Sequence, residues 1–208
     1  MKQSNSAKKF IKCHNRAVGM IKRHWEAWKA GGAAWDESDD DLFRAGVVLS
    51  VAAMDAYFTD RFCEALVPYI KKEGLNKGLK ELLSNSGMTL EKSIEMFDNK
   101  RPKRVMSNLV RRHLSTFVTQ NFKIVDKLYR CIGFEKPVTL SAQDLSKRKR
   151  LLGSIEKLVE RRHKIVHAGD YNQHGRLNQI EYQKTFKRIL EIRVLVANIE
   201  KLLAAEKI

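Results

Sequence analysis

The chain is 208 residues long and sets 40 lysines and arginines against 24 acids, a net charge of +16 with a pI of about 9.9. That length suits one well-buried core, and no Pro/Gly/Ser-rich linker divides residues 1–208, so a single domain is expected. So large a cationic excess draws polyanions through counterion release and electrostatic steering, which puts RNA or another nucleic acid first among partners and an acidic membrane surface second.

Cys13, Cys63 and Cys131 lie far apart without Cys-x-x-Cys spacing, which excludes a disulfide framework and a zinc ribbon. The basic residues 1–12 are followed by His14, Asn15, Arg16, Lys22 and Arg23 where a signal peptide would be apolar. The longest mainly apolar run, 45–54, is about half the length of a membrane-spanning helix and ends at Asp55. A cytoplasmic protein without a membrane segment is expected.

Residues 6–29 carry Phe10, Ala17, Met20, Ile21, Trp25 and Trp28 at steps of three and four, which predicts an amphipathic helix ended by Gly31-Gly32. Ser38-Asp39-Asp40-Asp41 reads as a helix start, with acids at the positive end of the dipole. The stretch 42–67 is apolar over much of its circumference, marking a central helix stopped around Pro68. Two short helices, 76–83 and 89–97, are set apart by the turn-forming Ser84-Asn85-Ser86-Gly87. From 103 to 132 apolar residues keep helical spacing, either as one bent helix or as two divided at Ser115-Thr116 or Thr119-Gln120-Asn121.

Residues 133–137 form a connection, and Ser141-Ala142-Gln143-Asp144 leads into a helix through Leu151, Leu152, Ile155, Leu158, Val159, Ile165 and Val166 that Gly169 ends. After the polar loop 171–175, apolar residues from Ile180 to Leu203 define a long last helix. No alternating strand pattern is present. The expected fold is all-α, an up-and-down helical bundle with short accessory helices.

Lys147-Arg148-Lys149-Arg150 and Arg161-Arg162-His163-Lys164 lie on the helix that Gly169 ends. They form either a polyanion-binding surface or an ordinary solvated helix face. Within them, Arg162 is a permanently charged fork suited to phosphate, and His167 can take and give a proton near neutral pH. Phosphodiester cleavage needs both roles. On an ideal helix the two stand about 140° apart, whereas His163 and His167 share a face.

The competing readings make His167 a histidine at a helix C-terminus and Arg162 a surface cation paired with Glu160 or Asp170. His163 is expected in a supporting role. Asp55, an acid inside an apolar run, either orients Arg162 across the bundle or serves an unrelated salt bridge. A zinc site on His163 and His167, completed by His174 or Asp170, is disfavoured because Lys164 sets a cation beside the metal where an H-E-x-x-H protease has its acidic base. No metal or other cofactor is expected, and no glycine-rich phosphate loop points to nucleotide hydrolysis. Trp25, Trp28 and Trp35 offer either stacking faces for bases or packing surface.

The Arg-x4-His spacing from Arg162 to His167 has a polar residue directly after the arginine and apolar residues before the histidine, at the end of an amphipathic helix. It resembles the HEPN superfamily. The segment Arg161-Arg162-His163-Lys164-Ile165-Val166-His167-Ala168-Gly169-Asp170, with Met54-Asp55-Ala56-Tyr57-Phe58 in the earlier apolar helix, is most similar to the RiboL-PSP-HEPN branch. The resemblance implies a helical bundle that forms a homodimer, with the motifs of two protomers facing one cleft, and a metal-independent endoribonuclease whose catalytic residues are Arg162 and His167.

Members of the superfamily serve in toxin–antitoxin pairs, antiviral defence and RNA processing, so a cognate antitoxin or defence partner joins RNA among the expected partners. Others keep only RNA or partner binding, and a non-catalytic binding module is the alternative. Where the toxin branch has a tyrosine two residues after the histidine, this chain has Gly169, and its nearest tyrosine is Tyr171. That departure puts regulation through the tyrosine in doubt. In the implied chemistry His167 takes the 2′-OH proton or protonates the leaving 5′-oxygen, and Arg162 stabilises the phosphorane on the way to a 2′,3′-cyclic phosphate. Lys147, Arg148, Lys149, Arg150, Arg161 and Lys164 are the expected RNA-binding cations.

Overall fold

The computed structural model describes residues 3–31, 40–116, 121–141 and 144–205, with the backbone alone at 27, 28, 30 and 31. The helices are α1 (Asn5–Gly31), α2 (Asp41–Glu73), α3 (Lys77–Asn85), α4 (Leu90–Glu95), α5 (Pro102–Leu114), α6 (Phe122–Arg130), α7 (Leu145–Ala168) and α8 (Tyr182–Ala205), and the described residues form no strand. Four long helices, α1, α2, α7 and α8, make the up-and-down bundle, and α3 to α6 are the accessory helices. The expected all-α architecture is the observed one.

α2 is the hub because it is apolar on most sides: Phe43, Val47, Val51, Met54, Phe58, Phe62 and Leu66 are all buried among the other helices. Of the described helices it is the one long and apolar enough to cross a membrane by length and composition, a test that a buried core helix also passes. α1 lies antiparallel along it. Near the start of α1 the backbone N–H groups of Asn5 and Ser6 donate to Glu64 at 3.0 and 3.2 Å, and farther along Gly46 comes so near α1 that a Cβ there would lie 2.6 Å from Ile21. α8 is pegged to both helices. Glu200 accepts from the Tyr57 hydroxyl at 2.9 Å and from Arg61 Nε at 3.0 Å, while His14 Nε2–H donates to the Ile189 carbonyl at 2.9 Å.

Two boundaries differ from the sequence expectation or resolve it. α2 does not stop around Pro68 but runs on to Glu73, where Gly74, at φ 77°, donates its N–H to the Ile70 carbonyl at 2.9 Å. Proline deletes one donor from the ladder, and here the following turn is held from outside. Tyr69 lies against Gly133, whose Cβ would stand 2.9 Å from its ring; Asn76 Nδ2 donates to the Tyr69 hydroxyl at 3.3 Å; and Ile70 packs on the core.

The apolar stretch 103–132 is two helices. The Ser115 and Thr116 hydroxyls donate back to the carbonyls of Arg112 and His113, each at 2.7 Å, drawing the end of α5 out of helical pairing. Asn121 then caps α6 by accepting the Lys123 N–H at 3.0 Å. Gly32, Trp35, Ser38, Asp39, Phe117 to Gln120, Ala142 and Gln143 lie outside the described residues.

Candidate functional site

The motif helix is fixed at both ends by residues with polar side chains. At its start Asp144 accepts the N–H groups of Ser146 and Lys147 at 2.8 and 3.2 Å, which satisfies donors the first helical turn leaves over. Its buried stripe, Leu151, Ile155 and Leu158, faces the bundle. Gly169 ends it in the left-handed region at φ 58°, and the N–H groups of Gly169 and Asp170 both turn back to the Lys164 carbonyl.

Asp170 is fully buried, also at positive φ (65°), and its Oδ2 accepts from Arg44 Nε at 3.0 Å and from an Arg161 terminal nitrogen at 2.5 Å. Arg161 reaches on to the carbonyls of Asn178 and Gln179 at 2.9 and 3.3 Å. Burial pulls the Arg44 pKa down, but its hydrogen bonds to Asp170 and Asp41 outweigh that and raise it. One carboxylate thus joins α2, the end of α7 and the segment that precedes α8. The sequence reading missed this cluster, although an acid directly after a helix-ending glycine was a usable signal.

Arg162 is half-buried on the side of α7 that continues the Leu151, Ile155 and Leu158 stripe, and its Nε is buried with no hydrogen-bond partner among the described residues. Neither Asp55 nor His167 is therefore the partner of that nitrogen. Asp55 sits half-buried on α2 and is itself engaged in a polar interaction. His167 is exposed in the last turn of α7, and its ring stands 4.3 Å from that of His163, with 42° between the planes. His163 and Lys164 line a cleft of about 660 Å³ between α7 and the start of α6, together with Glu156, Glu160 and Lys123; His167 stands outside that lining.

The four residues of the basic run 147–150 do not all share one surface, because each residue on a helix turns about 100° from the last. Lys149 and Arg150 face α8, and Lys147 lies 3.7 Å from Asp144. Arg161 is taken up by Asp170, and Lys164 is exposed.

Asp170 points at the two arginines and not at the histidines. His174 stands 3.3 Å from Gln173 Nε2, and among the described residues no group of three His, Cys, Asp or Glu side chains is placed to hold a metal ion. Trp25 packs edge-on against Phe186 at 5.0 Å, joining α1 to α8; the Trp28 side chain and Trp35 lie outside the described residues.

No curated protein and no solved structure matches the chain. A family model does: RiboL-PSP-HEPN matches residues 33–205, a span that takes in α2 to α8 and both ends of the motif helix. The chain belongs to the RiboL-PSP-HEPN branch of the HEPN superfamily.

Proposed function

We propose that the protein is a homodimeric, metal-independent endoribonuclease of the cytoplasm, with Arg162 and His167 as its catalytic residues, serving as a toxin or antiviral effector under a cognate partner. The observation that carries this reading is the contrast between two adjacent arginines. Arg161 is saturated by Asp170 and two carbonyls, while Arg162, half-buried, keeps a buried Nε with no acceptor. A buried donor on a charged group is costly when unpaired. Phosphate oxygens would supply the missing acceptors in the bidentate geometry a guanidinium favours.

The homodimer is supported by an apolar stripe on α7 whose two ends are exposed. Leu145, Leu152, Val159 and Val166 recur every seven residues; Leu145 and Val166 are 57% and 48% exposed, and the middle two are half-buried against the protomer's own core. This is the spacing of a helix–helix seam. On an ideal helix Arg162 and His167 lie about 70° to either side of that stripe. They face apart within one protomer, and pairing α7 with its copy would bring the Arg162 of one protomer toward the His167 of the other.

There the 2′-oxygen attacks the adjacent phosphorus, forming the O2′–P bond as the P–O5′ bond breaks. His167 of one protomer or the other takes the 2′-OH proton or delivers one to the leaving 5′-oxygen, and Arg162 stabilises charge on the phosphorane. Lys149, Arg150 and Lys164, all exposed, supply binding charge.

The test is end-labelled RNA incubated in EDTA with the wild type and with folded Arg162→Ala and His167→Ala variants, separately and mixed. Cyclic phosphate ends, lost in each variant and partly regained in the mixture, are expected. Salt-sensitive RNA binding without cleavage would establish the non-catalytic module instead, and cleavage that survives both substitutions would place the chemistry elsewhere.

A further inference from the structure

Mid-way along the bundle α7 and α8 enclose a second groove, of about 360 Å³, lined by Lys149, Arg150 and Lys157 from α7 and by Lys184, Lys187 and Arg188 from α8. The two helices are antiparallel, with Ser154 beside Glu191 and Arg161 beside Gln179. Cations separated by three, four or seven residues recur on one face of each helix, and here the two faces oppose one another. The only acid in the lining, Glu191, accepts the Ser154 hydroxyl. Lys184 pairs with Glu181 at 2.9 Å and Arg188 feels the same carboxylate, whereas the other four cations form no ion pair among the described residues.

So many like charges facing one another repel in the free protein, and a polyanion that threads between them relieves the repulsion and releases its own counterions. The lining holds no aromatic ring, so the groove is fitted to a sugar–phosphate backbone and not to stacked bases. At its floor sits Gly153, where an added Cβ would meet nothing within 4 Å. No packing requires glycine there, and its effect is to leave the backbone side of the groove open to a bulky phosphate. The same side of α7 continues from Lys157 past Lys164 to His167, about 15 Å along the helix axis at 1.5 Å per residue.

We propose that the α7–α8 groove is the track along which an RNA strand is held by its phosphates and led to His167, with Lys157, Lys184, Lys187 and Arg188 as binding residues beside Lys149 and Arg150. The proposal rests on the RNA reading above for its ligand but not on cleavage.

It is tested with the full chain and a fluorescent, uncleavable 2′-O-methyl oligoribonucleotide, its affinity measured as a function of salt. The groove variant Lys157→Gln/Lys187→Gln/Arg188→Gln is compared with Lys8→Gln/Lys12→Gln/Lys22→Gln, which removes the same charge from exposed positions on α1. The groove variant should bind at least about tenfold more weakly at 0.1 M salt and lower the log–log salt slope by about 2, at about 0.7 per lost phosphate contact on a single strand. The α1 variant should change affinity less than about threefold.

A second variant, Gly153→Glu, adds a Cβ that meets nothing within 4 Å, sets a carboxylate among the groove cations and should weaken binding comparably even if the triple variant folds poorly. Equal losses from both triple variants would reduce the groove to part of a diffuse cationic surface and overturn the proposal. So would unchanged binding in Gly153→Glu, or an affinity for inorganic polyphosphate that depends on the groove while RNA binding does not. Groove-dependent RNA binding with no cleavage of natural RNA would sustain this proposal and defeat the nuclease reading.

Discussion

Replacing Asp170 by asparagine keeps the size of the side chain and suits the left-handed backbone at φ 65°, so what it removes is charge. The wild-type carboxylate is fully buried and receives Arg44 at 3.0 Å, Arg161 at 2.5 Å and Asn178 Nδ2 at 3.3 Å. An asparagine offers one acceptor oxygen in place of two and turns an N–H pair toward guanidinium donors. The buried Arg44 then loses its buried carboxylate and keeps the exposed Asp41, at 3.1 Å, in its own helix turn. Removing one member of a buried ion pair costs about 3–5 kcal/mol, because the charge left behind stays desolvated. At a urea slope of about 2 kcal/mol per molar, the unfolding midpoint of Asp170→Asn should fall by about 2 M. Asp170→Ala should lose about 1 kcal/mol more through the positive φ. Equilibrium urea unfolding followed by circular dichroism measures this, with the exposed cap variant Asp144→Asn as the comparison. A loss below about 1 kcal/mol in Asp170→Asn would show that the two arginines find water or other acceptors, and that the cluster does not fix the end of the motif helix.

Arg162→Met should leave the unfolding free energy unchanged or raise it, since it deletes a buried nitrogen without an acceptor among the described residues, whereas Arg161→Met should lower it by about 3–5 kcal/mol; equal losses would make Arg162 a structural residue. Gly46→Ala puts a Cβ 2.6 Å from Ile21 and 3.2 Å from the Ala17 carbonyl, so it should destabilise by about 1–3 kcal/mol, and a neutral result would mean that α1 and α2 separate freely. Burial holds the His14 pKa below 6.5, against the raising effect of its bond to Ile189 and with help from Arg193, so the unfolded chain takes up the proton first as pH falls. The stability His14 contributes is complete above pH 6.5 and is lost as pH falls through the folded value, and His14→Gln should unfold with a weaker pH dependence between 7.5 and 5 than the wild type. Burial pushes the Cys63 thiol up to about 11, so at pH 8 it should alkylate about a hundredfold more slowly than an ordinary free thiol, as mass spectrometry of partly labelled protein would read.

What was legible in the sequence was periodic or contiguous. Apolar side chains recurring at helical spacing located α1, α7 and α8, a stretch apolar over much of its circumference located α2, and Gly169 located the end of α7 because a left-handed residue there has a local signature. The Pro68 boundary was not legible, because what carries α2 past it is Tyr69 against Gly133, a contact between segments far apart in the chain. Asp170 was visible only as a neighbour of the motif; the arginine that explains its burial is 126 residues away.

The basic clusters were legible as charge but not as surfaces. A run such as 147–150 looks like one patch in sequence, yet a helix spreads it around a full turn, while the groove cations of α7 and α8 are scattered in sequence and meet in space. The same reasoning applies at the motif. Arg161 and Arg162 are indistinguishable as letters; the Arg-x4-His spacing singled out Arg162 for catalysis, and Arg161 was assigned to RNA on charge alone. On the helix they differ by 100°, enough to send one to a buried carboxylate and leave the other with a nitrogen that no group among the described residues satisfies. Charge proposes where an anion binds, but which cation remains available for it is decided by the acids that the fold brings near. For that reason the unsatisfied Arg162, and not the number of lysines and arginines around it, carries the argument for phosphate chemistry.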